Sequence, residues 1–471
     1  MPSHERLERA LAYADRWIAY RRWRFRVPGV QVAVRVGGEL VLDTAHGLAD
    51  VAAREPLTPA HRFRIASHSK ALAAIVVLRL VDEGRVRLDD EAQAHAPQLA
   101  GTDAGALTVR ELLSHGGGAT RDGDDVSHWH LQRDFPDADA LAALARGGAG
   151  RIAASTEFKY SNVGFGILGL VVEGATGEPY GAAFDRLLAR PLGLAATAAD
   201  LDDRVPGART GAPLATGHSG IHSSEARIAF ASPGTGALAA ATGAASTAAE
   251  LTDALRTVAD ADDRLLSAAS RRRMRQRQWT TAGRDGSQAG YGLGLMLREL
   301  DGRTWVGHGG AWTGQATRTL VDPERDLVVS VLTNAIDGPA EELAIGVARI
   351  LHAGLEEPGA DVDLELLRSF EGAYASIWGR LDVVELGGRL LGIPPTAADP
   401  LAAVDVLTPE GDDRVRIAAA TGMGSGHEVA VAARGADGRV AWWGGAWHMA
   451  AVDAVPADAV PADAEPAGER P

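Results

Sequence analysis

The stretch Arg64–Leu80, RIASHSKALAAIVVLRL, sets a serine, Ser67, three residues before a lysine, Lys70, at the head of an apolar run from Ala71 to Leu78. Residues three apart on a helix share a face, so Ser67 near the helix N-terminus and Lys70 one turn on point the same way. That pairing is a nucleophile beside a base. A serine hydroxyl needs a partner to take its proton, and a lysine in apolar surroundings, its ammonium form disfavoured, can fill that role. The helix N-terminus adds a positive partial charge and a free backbone N–H. Of 47 lysine and arginine residues only Lys70 and Lys159 are lysine. Arginine stays protonated, so a lysine kept at a buried position points to chemistry that arginine cannot supply. S-x-x-K alone is a weak signal, and the case needs more.

It comes from two further stretches: KYSNVGFGILG, with Tyr160, Ser161 and Asn162, and GHGGAWTG, with His308, Gly309 and Gly310. With FRIASHSK they stand in the order and coarse spacing of the serine β-lactamase-related hydrolases, and the chain resembles that family from about Val27 to Ala353. The family takes in class C β-lactamases, D-alanyl-D-alanine carboxypeptidases, D-aminopeptidases and family VIII carboxylesterases. The framework stretches VRELLSHGGG, ASTAAEL, YGLGLML and LVDPERDLVVSVLTN are similar to it as well.

Carried over by position, the resemblance implies Ser67 as acylated nucleophile, Lys70 as its proton acceptor and Tyr160 as the second acid/base group. Asn162 would orient the substrate amide. His308 and Gly310 take the place of the family's K-T-G strand motif and would line the cleft opposite the helix, glycine letting a substrate backbone approach. The backbone N–H groups of Ser67 and Ala311 would form the oxyanion hole. Histidine in place of the motif lysine removes a fixed cation facing a substrate carboxylate. That shifts the expectation from penicillin-type or D-Ala-D-Ala substrates toward aminopeptidase or esterase activity on a small ester or amide, with no cofactor and no metal.

Other residues are weighed against blander roles. Lys159 alternates away from Tyr160 in an extended stretch and reads as a surface residue. His115 in LLSHGGG reads as a buried structural donor at a helix end. His128 and His130 in HWH, and His218 and His222 in HSGIH, have ligand-like spacings, which makes a metal-dependent hydrolase one rival. Neither has the carboxylate of an H-E-x-x-H helix, and both lie in Gly/Ser/Asp-rich loops. A catalytically silent binding or regulatory protein on the same scaffold is the other rival, and the joint presence of Ser67, Lys70 and Tyr160 speaks against it. Trp129 and Trp312 either line a pocket or pack, and WWGGAWH reads as core of the last domain.

The elements that must hold these residues follow from pattern. Leu7, Leu11, Ala14 and Ile18 predict an amphipathic N-terminal helix that packs on a sheet. VQVAVRVGGELVL predicts a hairpin turning at Gly37-Gly38. From Ser67 to Glu83 the pattern predicts a helix apolar on nearly all sides, stopped by Gly84. Residues 90–260 read as an inserted helical subdomain, and strands return at TWVGHGG, ATRTLVD and DLVVSVLTN, followed by the helix PAEELAIGVARILHAG. Together these predict an α/β (α+β) fold, an antiparallel sheet assembled from distant parts of the chain and flanked by helices. The expected division is a hydrolase domain over 1–360, a small β-rich, barrel-like domain over 361–451 and a disordered Pro/Ala/Asp-rich tail over 452–471. A net charge of −15 over 471 residues argues against nucleic acid and anionic membranes as partners. There is no cysteine, which excludes disulfides and thiolate chemistry. The polar start and the lack of an apolar run of roughly 18 residues predict a cytoplasmic chain with no signal peptide and no membrane span.

Overall fold

A computed structural model describes residues 2–148, 152–201, 211–221, 226–282, 288–402, 404–419 and 424–453. Contacts divide the chain into two compact units, Pro28–Glu341 and Met1–Val27 with Glu342–Pro471. The N-terminal helix Pro2–Arg24 groups with the C-terminal unit.

In the first unit the strands are β1 (Gly29–Val36), β2 (Glu39–Asp50), β3 (Glu55–Pro56), β4 (Phe63–Arg64), β5 (Gly217–His218), β6 (Ala229–Phe230), β7 (Ala245–Ser246), β8 (Trp279–Ala282), β9 (Gln288–Tyr291), β10 (Met296–Leu300), β11 (Arg303–Trp312), β12 (Gln315–Asp322) and β13 (Leu327–Thr333). Nine of them form one sheet in the order β3-β2-β1-β13-β12-β11-β10-β9-β8. Its pairs are antiparallel. The hairpin predicted at Gly37-Gly38 joins β1 to β2, both glycines having positive φ as a tight turn requires. Val30 on β1 pairs with Thr333 on β13, which closes the sheet between chain segments about 300 residues apart by sequence number.

The central helix, His68–Asp82, buries twelve of its residues. Such a helix has no solvent face to keep polar, which explains the unbroken apolar run. It ends at Glu83, and Gly84 follows at φ +71°. The helix packs on the helix Asn162–Thr176, on the π-helical turn Ala239–Gly243 and on β11.

Two glycines let the sheet seat this closely. A Cβ on Gly294, which has φ +72°, would lie 2.3 Å from Ala74 Cβ and 3.1 Å from the Lys70 carbonyl oxygen. A Cβ on Gly310 of β11 would lie 2.0 Å from the Ile65 carbonyl oxygen.

In the second unit, eight strands from Gly372–Ser376 to Met449–Ala451 close into a barrel. Trp443 sits in its core against Phe370 and Tyr374, and Trp447 packs on it, while Trp442 meets His448 edge to face and is only half-buried. The N-terminal helix packs against the strand Gly379–Leu386 of this barrel, the sheet its apolar face was expected to find. Arg9 pairs with Glu371 at 2.7 Å, and Trp17 lies over Gly346. The tail from 454 lies outside the described residues. Among the described residues no helix is long and apolar enough to cross a membrane.

Candidate active site

Ser67 stands on a sharp strand-to-helix turn. β4 pairs with β7, Ile65 N–H donates to the Ala244 carbonyl at 3.0 Å, and Ala66 then adopts φ +47°. A non-glycine residue in the left-handed region costs energy, and here it turns the chain so that the next residue opens the helix. Ser67 is the N-cap by position, but its side chain makes no capping bond. Its Oγ is spent elsewhere. Lys70 Nζ lies 3.2 Å away, and Tyr160 Oη donates to it at 2.8 Å.

Lys70 is fully buried. Besides Ser67, its Nζ donates to Asn162 Oδ1 at 2.7 Å and to the Ala241 carbonyl at 2.8 Å. That carbonyl belongs to the π-helical turn Ala239–Gly243, a form that recurs at functional sites. Burial holds the Lys70 ammonium well below its ordinary range; the nearby Asp122 opposes this and Arg121 adds to it. A neutral amine has two N–H donors and one lone pair. Both donors have carbonyl-type acceptors, so the lone pair is left for the Ser67 hydroxyl.

Tyr160 and Asn162 reach the same point from the other side. Ser161 is extended (φ −142°, ψ 120°), so its neighbours share a face while its own Oγ turns away, accepting from Gly164 N–H at 2.8 Å and donating to the Thr120 carbonyl at 2.6 Å. Lys70 Nζ lies 4.7 Å from the Tyr160 ring centroid. Desolvation pushes the Tyr160 phenol well above its ordinary range, so it stays protonated.

Four of the predicted residues, Ser67, Lys70, Tyr160 and Asn162, thus form one hydrogen-bonded cluster. The resemblance implies Asn162 as the residue that orients the substrate amide. It is buried, with Oδ1 on Lys70 and Nδ2 donating to Asp122 Oδ1 at 2.6 Å. His308 is buried too, not open to the cleft. Its Nε2 lies 3.2 Å from Tyr291 Oη, and its Nδ1 lies against the Gly309 backbone. Burial, then the neighbouring Lys70 and His68, hold the imidazole neutral, well below its ordinary range. Gly310 faces the backbone just before Ser67, so its missing side chain makes room for Ile65. Ala311 is exposed on the same strand, opposite Ala316 of β12.

His115 is buried as expected but acts as acceptor, not donor: Ser161 N–H donates to its Nδ1 at 3.2 Å, and its ring backs Tyr160 at 4.3 Å. Lys159 donates its backbone N–H to the His115 carbonyl. His128 is enclosed by Trp129 and Phe135, and His130 is exposed. His218 bonds the Asn334 carbonyl, and His222 lies outside the described residues. Among the described residues no three His, Cys, Asp or Glu side chains converge as a ligand set. Trp312 packs in the core, stacked on Phe135, while Trp129 is half-buried.

Asp122 and the Ala241 carbonyl were not foreseen. Asp122 sits in the loop RDGDD, where Asp124 and Asp125 are exposed and only Asp122 is buried. Nothing local distinguishes the three, and a backbone acceptor leaves no mark in sequence.

The model of the Beta-lactamase family matches residues 14–353. The chain belongs to the beta-lactamase family. Among curated relatives, this family member is 34% identical over 183 residues to esterase EstB of Burkholderia gladioli, an alignment covering 36% of the chain and 46% of EstB. The chain thus spans less than half the length of this relative. Among solved structures it is similar to SurE, with TM-score 0.61 and 28% identity over 96% of this chain and all of that one, a protein also solved with D-Leu. A D-stereospecific amidohydrolase from Streptomyces sp. matches with TM-score 0.57 and 25% identity, over 72% of this chain and 98% of that one.

Proposed function

We propose that this beta-lactamase family member is a serine hydrolase that forms an acyl-enzyme on Ser67 from a small ester or amide. The observation that carries the reading is the Lys70 amine, buried, with two fixed carbonyl-type acceptors and Ser67 Oγ as its third neighbour. Ser67 Oγ attacks the substrate carbonyl carbon and its proton passes to Lys70 Nζ. Tyr160, held protonated and bonded to Ser67 Oγ, gives its proton to the leaving oxygen or nitrogen and is refilled from the Lys70 ammonium. The Ser67 and Ala311 N–H groups receive the developing oxyanion. Water then attacks the acyl carbonyl and releases the acid, the same groups working in reverse. Residues His308 and Gly310 shape the wall behind the scissile bond.

Substrates with a D-configured residue on the acyl side fit the likeness to SurE, solved with D-Leu, and to a D-stereospecific amidohydrolase. A neutral His308 offers no fixed cation for a substrate carboxylate, which favours esters and amides of neutral groups.

The test is an active-site-directed fluorophosphonate, expected to add one mass increment mapped to the Ser67 peptide. Labelling of Ser67→Ala at the wild-type rate would overturn the assignment. Parallel turnover of p-nitrophenyl esters, D- and L-amino-acid p-nitroanilides and a chromogenic cephalosporin then ranks the substrate classes.

A further inference from the structure

We propose that Asp122 is a positioning residue for acylation: by accepting from the Asn162 side-chain amide it locks the direction of that amide, and so aims the Lys70 lone pair at Ser67. This rests on Lys70 acting as the base.

The chain of contacts is continuous. Asp122 Oδ1 accepts from Asn162 Nδ2 at 2.6 Å and from Trp129 Nε1 at 2.9 Å, and Asn162 Oδ1 in turn accepts from Lys70 Nζ at 2.7 Å. Each link has a fixed sense. An indole N–H only donates, a carboxylate only accepts, and an amide NH2 only donates. Turning the Asn162 amide over would set its oxygen against Asp122 and its NH2 against the Lys70 donors, losing two hydrogen bonds in a buried site. Asn162 can therefore present only its oxygen to Lys70. With Ala241 O as second acceptor, the neutral amine has one orientation, its lone pair toward Ser67 Oγ. Trp129 holds the carboxylate from the far side, and Thr313 Oγ1 donates to the Trp129 carbonyl at 3.4 Å.

Asp122 also brings a negative charge toward Lys70. The other groups around the amine are the Arg121 guanidinium, the Tyr160 phenol and the His115 and His308 imidazoles. Arg121 lies 3.2 Å from Asp122 Oδ2, with a mostly exposed side chain. Asp122 favours the ammonium and Arg121 disfavours it. Removing either must move the Lys70 titration, in opposite directions.

Because Lys70 and Lys159 are the only lysines, lysine labelled with 13C at Cε gives two signals, and Lys70→Arg assigns them. Asp122→Asn, Asp122→Ala and Arg121→Ala are compared with wild type, reading the Lys70 titration and the pH dependence of fluorophosphonate acylation. Asp122→Asn is expected to move both the titration and the acid limb to lower pH by at least about 0.5 unit. Asp122→Ala should do the same and in addition lower the plateau rate about tenfold or more. Arg121→Ala, a surface change that leaves the backbone carbonyl bonded to Asn162 N–H, should move both to higher pH. A merely structural Asp122 would change thermal stability and leave the limb in place. Unmoved titrations in Arg121→Ala and in every folded Asp122 variant, with Lys70→Arg inactive, overturn the proposal alone. Lys70→Arg acylating like wild type overturns the base reading beneath it.

Discussion

Lys70 Nζ lies 3.2 Å from Ser67 Oγ, one helical turn along, while Asn162 and Ala241 hold its other hydrogen-bonding positions. Three neighbours exhaust an amine. An arginine in its place keeps the charge and the donors but has no accessible neutral form, its intrinsic pKa being about 12.5–13.8 against about 10.4 for lysine. Lys70→Arg is expected to lose at least ~10²-fold in acylation rate with the fold retained. A folded variant acylating at more than about a tenth of the wild-type rate would remove Lys70 from the base role.

Tyr160→Phe keeps the ring against His115 and Lys70 but removes the 2.8 Å donor to Ser67 Oγ. Its effect should fall on kcat more than on KM, by about 10²-fold or more. Since the phenol is pushed well above its ordinary range, wild-type activity should show no descending limb from Tyr160 below about pH 10. A steady-state profile with a phenol-like fall near pH 8, absent in Tyr160→Phe, would contradict this.

The cluster of Ser67, Lys70, Tyr160 and Asn162 was legible to the extent that its members are rare or patterned. Lys70 stands out in an arginine-rich chain, and Tyr160 and Asn162 sit two apart in an extended arm, a spacing that carries both to one face. The sheet was legible where alternation is clean, as at the Gly37-Gly38 turn. What escaped reading is what depends on tertiary closeness. Gly310 was read as letting a substrate backbone approach; what its sequence does not show is that the atom nearest its missing side chain is the Ile65 carbonyl oxygen, 245 positions earlier. Asn162 was read as orienting the substrate amide, and its bond to Asp122, a buried carboxylate outside every motif, was not legible. The N-terminal helix shows an apolar face without showing which unit covers it.

Histidines 68, 115 and 308 are buried and held neutral, His68 down to about 3, with burial the first cause in each. Their folded-state values lie below the unfolded value of about 6.5, so below that pH the unfolded chain binds protons that the native protein does not. Stability is full above about pH 6.5 and falls as pH drops toward the depressed folded-state values, by about 1.4 kcal/mol per pH unit for each histidine. Urea unfolding at pH 7.5 and pH 5.5 should show a marked loss at the lower pH. His68→Gln, which can keep bonds to Thr317 and Thr319, should lessen that loss, and an unchanged pH dependence in this variant would exclude His68 as a contributor.

Gly310→Ala separates the two meanings of that glycine. The added Cβ would lie 2.0 Å from the Ile65 carbonyl oxygen and 2.8 Å from Thr317 Oγ1. Neither the backbone oxygen nor the strand can yield cheaply, so β11 must move off the turn that carries Ser67. The expected result is a destabilisation of about 1–3 kcal/mol together with a loss of acylation toward substrates of every size. Gly147→Ala, at a glycine that likewise lacks a positive φ but has open space around it, is the control for adding a methyl group that meets nothing. If the glycine served substrate approach instead, Gly310→Ala would leave stability unchanged and discriminate by substrate bulk. Denaturant midpoints measured beside labelling rates by a small and a large fluorophosphonate tell the two apart: a stable variant still labelled by the small probe at the wild-type rate would return Gly310 to the substrate side of the cleft.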